Sequence, residues 1–198
     1  MTKIIIKTIK ELNLWKESLN SNINFVPTMG NLHRGHLKLI EEANKQNSVA
    51  TLISIFVNPL QFDNKKDFTN YPKSIKKDIE LAFKSGADAI FIPSKEEVFP
   101  KNKNNIYFLK ASKKLSSTLC GVKRVGHFDG VCTVVFRLLS LIQPNTIFLG
   151  EKDWQQLLIL KEMIKEMKLN IELKSIATVR DSDGVPFSSR NNLLSHSE

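Results

Sequence analysis

The apolar positions of the chain fall into two patterns. Strands are expected over 87–92, 146–149 and 171–179 and over a shorter apolar run, 24–27, that ends through Phe25 and Val26, and 49–57 (VATLISIFV) is a nearly continuous apolar run rich in β-branched residues. Runs of this kind mark strands buried on both faces of a parallel sheet. Between them lie stretches with helical spacing. Residues 8–18 place Ile9, Leu12 and Trp15 on one face, and residues 33 to about 44 carry Leu37, Leu39, Ile40 and Ala43. Residues 72–84 turn Ile75, Ile79, Ala82 and Phe83 inward, and a helix running through Met167 carries Gln155 and Gln156 in its first turn. Residues 131–142 (VCTVVFRLLSLI) are apolar all round, which predicts a buried helix stopped by Pro144. Residues 94–123 are the least patterned, with a strand expected over 106–109, a short helix over 113–119, and a loop over 126–130. The β-α-β-α-β order predicts an α/β fold built on a doubly wound, mostly parallel sheet with helices on both faces.

Four polar stretches each follow an expected strand: 33–36, 58–61, 150–156 and 180–190. In a parallel sheet all four meet at its carboxyl edge, where open α/β sheets bind ligands. The first, FVPTMGNLHRGHLKL over 25–39, places His33 and His36 at a helix N-terminus. Imidazoles three residues apart share a face, and the free N–H groups of a first helical turn favour an anion. Gly35 leaves room for a phosphate or a ring to approach the backbone. No cysteine or acidic residue lies in this stretch, which argues against a metal site. Together the four stretches offer two imidazoles, a lysine, two arginines, two hydroxyls and up to three carboxamides. That set suits a nucleoside triphosphate and a small polar acid.

Composition narrows this picture without redirecting it. The 198 residues suffice for one sizeable core, and 41% hydrophobic and 25% charged residues are ordinary for a globular protein. The net charge of +9 raises nucleic-acid binding. However, 24 of the 29 basic residues are lysines spread along the chain without interleaved aromatics. Four of the five arginines, Arg34, Arg124, Arg180 and Arg190, lie in or beside the Gly-, His- or Ser-containing stretches, as sites needing a planar fork of donors would require. No membrane span or signal peptide is legible. Cys120 and Cys132 have no metal or redox spacing, so a cytoplasmic protein with reduced thiols is expected.

The segments FVPTMGNLHRGHLKL, FVNPLQF, DFTNYPKS, VGHFDGVCTVV, FLGEKDWQQL and RDSDGVPFSSRNNLLS, in this order, resemble the pantothenate synthetase (pantoate–β-alanine ligase) family over nearly the whole chain. The resemblance implies a Rossmann-like nucleotidyl transferase domain with a His-x-Gly-His signature, here 1–198. It implies ATP-dependent joining of pantoate to β-alanine through a pantoyl-adenylate, in the pathway to coenzyme A, with Mg²⁺ accompanying ATP, and a homodimer. Carried over by residue, Pro27, Thr28, Met29, Gly30, His33, Gly35 and His36 would line ATP, with His36 the proton donor and His33 on the phosphates. Gly150, Lys152, Asp153, Val179, Ser188, Ser189 and Arg190 would complete the ATP site, and Gln61 and Gln156 would hold pantoate. The expected catalytic residues are His36, His33 and Lys152, with no protein metal ligand assigned. Phe187 stands where the family usually has Met, and Val125 where it has Pro. Family members continue past the Ser-Ser-Arg-Asn motif as a smaller lid domain, which this chain is expected to lack. The alternatives are another nucleotidyltransferase of the same superfamily, or a lid-less form that binds ATP but turns over poorly.

Overall fold

The computed structural model describes residues 2–45, 49–99 and 107–191. Six strands form one wholly parallel sheet: β1 (Ile4–Ile6), β2 (Ile23–Thr28), β3 (Ala50–Ile55), β4 (Ala89–Phe91), β5 (Thr146–Gly150) and β6 (Glu172–Ile176), in the order β1-β4-β3-β2-β5-β6. The chain winds outward from β2 through β3 to β4, then returns and winds the other way through β5 to β6. The reversal lies between β2 and β5, which pair Asn24 with Thr146 and Phe25 with Ile147. A crevice opens at such a reversal, outside the carboxyl ends of the strands.

Strand alternation divides the core between two layers. Phe25, Leu52, Ala89, Phe91, Ile147 and Leu149 pack towards α1 (Ile9–Glu17), α8 (His127–Ile142) and α9 (Trp154–Glu166). Val26, Ile53, Ile55, Ile90 and Phe148 pack the other way, with Leu39, Ile40 and Ala43 of α2 (Arg34–Ala43) and Ala82 of α4 (Ile75–Lys84). The central strands are buried on both faces, which is why they read as continuous apolar runs.

Several expected boundaries shift. β1 was not legible: it is a three-residue edge strand of which only Ile6 is buried. β6 ends at Ile176 rather than Val179, because it is an edge strand with polar, half-exposed positions. The expected loop over 126–130 is largely the first turn of α8. A Cβ on Gly130 would stand 2.2 Å from the Leu60 carbonyl, so this glycine permits a backbone contact instead of breaking the helix. The strand expected over 106–109 starts outside the described residues, and 107–109 carry no strand. The short helix expected over 113–119 is shortened to α6 (Lys113–Ser116), and a separate short helix, α7 (Cys120–Lys123), follows it. Two further short helices, α3 (Lys65–Thr69) and α5 (Lys95–Val98), lie on either side of β4 in sequence. No described helix is long and apolar enough to cross a membrane.

Candidate active site

After β2 the chain must turn sharply into α2. Gly30 (φ +83°) and Asn31 (φ +49°) make that turn in the left-handed region. Beneath them lies Asp78 of α4, only 1% exposed. Its carboxylate accepts from Asn31 N–H at 2.9 Å, Leu32 N–H at 2.8 Å and Ser74 Oγ at 3.0 Å. A buried carboxylate is tolerable only with such donors, and here they fix the path of the turn. Gly30 faces Asp78 Oδ2 and Ile55, where a Cβ would come within 3.1 Å, and it does not line the cleft.

His33 caps α2 and His36 lies in its first turn. Gly35 N–H donates to His33 Nδ1 at 3.1 Å, and His33 N–H donates to His36 Nδ1 at 3.3 Å. With both Nδ1 atoms accepting, each neutral ring carries its proton on Nε2. The rings lie 4.0 Å apart at 35°, sharing a face as their spacing requires. Burial above all, with the nearby Lys152 charge, pushes His33 down to about 4. Burial, then His33, then Lys152, pushes His36 down to about 3. Both are therefore neutral hydrogen-bond donors near pH 7. Two backbone donors expected to meet an anion directly are taken by these imidazoles. Gly35 gives room first to the His33 ring, whose Cε1 would lie 3.0 Å from a Cβ there.

At the carboxyl ends of β2, β3, β5 and β6 the chain encloses a cleft of about 250 Å³. Pro27, Thr28, Met29, His33, Gly35 and His36 line it from the β2–α2 connection, and Gly150, Lys152, Asp153 and Gln156 from the β5–α9 connection. Val179, Ser188, Ser189 and Arg190 line it from beyond β6. Lys152 Nζ lies 3.1 Å from Asp153 Oδ1. Ser189 is tied back to the β2–α2 turn in both directions: Asn31 Nδ2 donates to Ser189 O at 3.0 Å, and Ser189 Oγ donates to Asn31 O at 3.1 Å.

Gln61 forms the other end. It lies in a single turn of 3-10 helix (Pro59–Gln61) after β3. Asn58, 1% exposed, donates through Nδ2 to Gln61 Oε1 at 3.0 Å and to Gly130 O at 3.1 Å. Among the described residues, Gln61 Nε2 meets only the Met29 sulfur, at 3.1 Å, a weak acceptor. His127 Nδ1 lies 2.7 Å from Gln61 O, and Arg124 reaches the same carbonyl at 3.3 Å while pairing with Asp63 at 3.1 Å. Val131, Val134, Val135 and Leu138 of α8 supply an apolar wall.

The donor set differs in two places from the expected one. Arg180 does not reach the cleft: its Nη1 donates to Gly184 O at 2.8 Å within the hairpin after β6, and Arg124 lines the cleft instead. Gln155 turns into the protein, donating to Leu115 O and Thr118 O at 2.7 Å each, while Gln156 faces the cleft. Sequence reasoning gave no role to Asp78 or His127, and gave Asn58 and Arg124 only a general one, as members of a polar stretch and of the arginine set. Asn58 and His127 stood in quoted motifs and Arg124 beside one, whereas Asp78 acts on the β2–α2 turn through contacts distant in sequence. Among the described residues no cluster of three or more His, Cys, Asp or Glu is placed to hold a metal ion.

The model of the pantoate-beta-alanine ligase family matches residues 4–198. A bifunctional pantoate ligase/cytidylate kinase of Prochlorococcus marinus (strain MIT 9215) is 61% identical over 198 residues, which are 100% of this chain and 39% of that protein. The chain thus spans about two-fifths of the length of the curated relatives it matches. Pantothenate synthetase from Thermus thermophilus superposes with a TM-score of 0.91 at 39% identity, over 100% of this chain and 69% of that one. The pantoate-beta-alanine ligase of Francisella tularensis, solved in complex with beta-gamma ATP and β-alanine, superposes with a TM-score of 0.93 at 37% identity, over 98% of this chain and 74% of that one.

Proposed function

Since the chain belongs to the pantoate–β-alanine ligase family, we propose that it condenses pantoate with β-alanine at the expense of ATP, through a pantoyl-adenylate, releasing AMP and pyrophosphate. The observation that carries this proposal is the arrangement of donors in one cleft. His33, His36, Lys152 and Ser188–Arg190 gather at one end, and the neutral amides of Gln61 and Gln156 face the same space.

A carboxylate is a poor acyl donor and needs activation. A pantoate carboxylate oxygen attacks the α-phosphorus, an O–P bond forms, and the bond to pyrophosphate breaks. Two anions must approach, so the developing charge needs donors already in place. The Nε2–H groups of His33 and His36 are such donors, fixed by the Nδ1 contacts, and Lys152 adds a full positive charge. His36 thus donates a hydrogen bond rather than delivering a proton. Gln61 and Gln156 bind the acid and its hydroxyls without adding charge, against the valine wall of α8. The amine of β-alanine then attacks the acyl carbon, AMP leaves, and the amine loses its proton, assisted mainly by proximity. Arg124, beside Gln61, offers a cation to the carboxylate of β-alanine.

The purine and phosphates lie along Pro27–Met29, Gly35, Gly150, Asp153, Val179 and Ser188–Arg190. Mg²⁺ enters with the triphosphate, as it is normally held by substrate phosphates, waters and one or two carboxylates. Asp153 is the carboxylate among the described lining residues that could meet it. Assembly as a cytoplasmic homodimer belongs to the same proposal and is supported by the family resemblance. The test is to incubate the chain with pantoate, β-alanine, ATP and Mg²⁺ and to measure AMP and pantothenate. Formation of both only when all substrates are present is expected. ATP hydrolysis indifferent to pantoate would refute it.

A further inference from the structure

Arg190 lies at the cleft mouth on the segment following β6, and Asp67 lies on α3, in the connection that follows β3. β3 and β6 flank the β2/β5 crevice on opposite sides, so contact between these two residues spans it. The contact uses one nitrogen: Arg190 Nη2 donates to Asp67 Oδ2 at 2.9 Å and Oδ1 at 3.3 Å. The guanidinium carbon also sits 5.7 Å from the centre of the Tyr71 ring, which is buried. Among the described residues, Arg190 Nη1 and Nε have no hydrogen-bond acceptor within the protein. Arg190 lines the cleft and Asp67 does not.

We infer that Asp67 is a positioning residue for the nucleotide: it anchors Arg190 by one nitrogen over Tyr71 and leaves the remaining N–H donors of the fork directed to the phosphates. This rests on the ligase proposal above. A flexible arginine loses side-chain entropy when it is ordered by a ligand, and an anchor lowers that cost beforehand. The Asn31–Ser189 pair fixes the neighbouring backbone, so Asp67 has only the side chain left to order.

The experiment is calorimetric titration of ATP with Mg²⁺ into the wild type, Asp67→Asn, Asp67→Glu, Arg190→Ala and the double variant Asp67→Asn/Arg190→Ala, with pantoate KM measured alongside. Asp67→Asn should weaken ATP binding roughly two- to fivefold, the range of an exposed ion pair, and leave pantoate KM unchanged. Asp67→Glu should recover part of the loss. Arg190→Ala should weaken ATP by about tenfold or more, the scale of a lost charged hydrogen bond, and the double variant should be no worse than Arg190→Ala. Unchanged or tighter ATP binding by Asp67→Asn, or additive losses in the double variant, would overturn the inference while leaving the ligase proposal intact. A wild type that binds no ATP would overturn both.

Discussion

His33 and His36 turn their Nδ1 atoms to the backbone of the same helical turn, one accepting from Gly35 N–H at 3.1 Å and the other from His33 N–H at 3.3 Å, with the rings 4.0 Å apart. The turn itself therefore selects the tautomer, and burial keeps both rings neutral.

The pH dependence follows with a definite sign. In the unfolded chain each histidine takes up a proton near 6.5, whereas in the folded chain His33 does so at about 4 and His36 at about 3. The unfolded state thus binds more protons below about pH 6.5, and stability falls on acidification from there towards pH 4. Urea midpoints at pH 7 and pH 5 should show this fall, and His36→Gln should make it shallower. Burial also lowers His127, so part of the slope should remain. Imidazole C2–H resonances of His33 and His36 that do not move between pH 8 and 6 are the spectroscopic counterpart.

His36→Ala should slow adenylate formation by on the order of a hundredfold or more, the usual cost of one donor aimed at developing charge, with little effect on pantoate binding. Rapid-quench measurement of a single turnover checks this. A wild-type rate would remove His36 from the chemistry.

Gln61→Ala and Gln156→Ala should each raise the pantoate KM and leave ATP affinity nearly unchanged, because both amides are neutral. Steady-state kinetics with each substrate varied separately decides it. Equal loss of ATP affinity would place these amides on the nucleotide.

Asp78→Ala should destabilise the fold by about 2–4 kcal/mol, since it leaves the Asn31 and Leu32 N–H groups without their acceptor. Urea unfolding measures the loss. The variant should also bind ATP more weakly, because the same turn leads into His33 and carries Asn31 to Ser189.

The central strands and the four polar stretches were legible because burial on both faces leaves continuous apolar runs, and because a parallel sheet carries whatever follows its strands to one edge. β1 escaped notice because a three-residue edge strand with one buried side chain has too little pattern to stand out. Gly130 was misleading: it serves a close backbone approach to Leu60, and no local composition distinguishes that from a turn. Asp78 and Asn31 are 47 positions apart, so the support of the β2–α2 turn could not be read from the turn. Arg180 and Arg190 both suited an anion by residue type, and only the hairpin geometry separates the one that closes on Gly184 from the one that reaches the cleft.

The most direct measurement is exchange of labelled pyrophosphate into ATP with β-alanine omitted. If His33, His36, Lys152 and Arg190 support attack of pantoate on the α-phosphorus, exchange will require pantoate and Mg²⁺, proceed without β-alanine, and fall sharply in His36→Ala. Exchange that appears only when β-alanine is added, or that runs equally well without pantoate, would contradict a pantoyl-adenylate formed in this cleft.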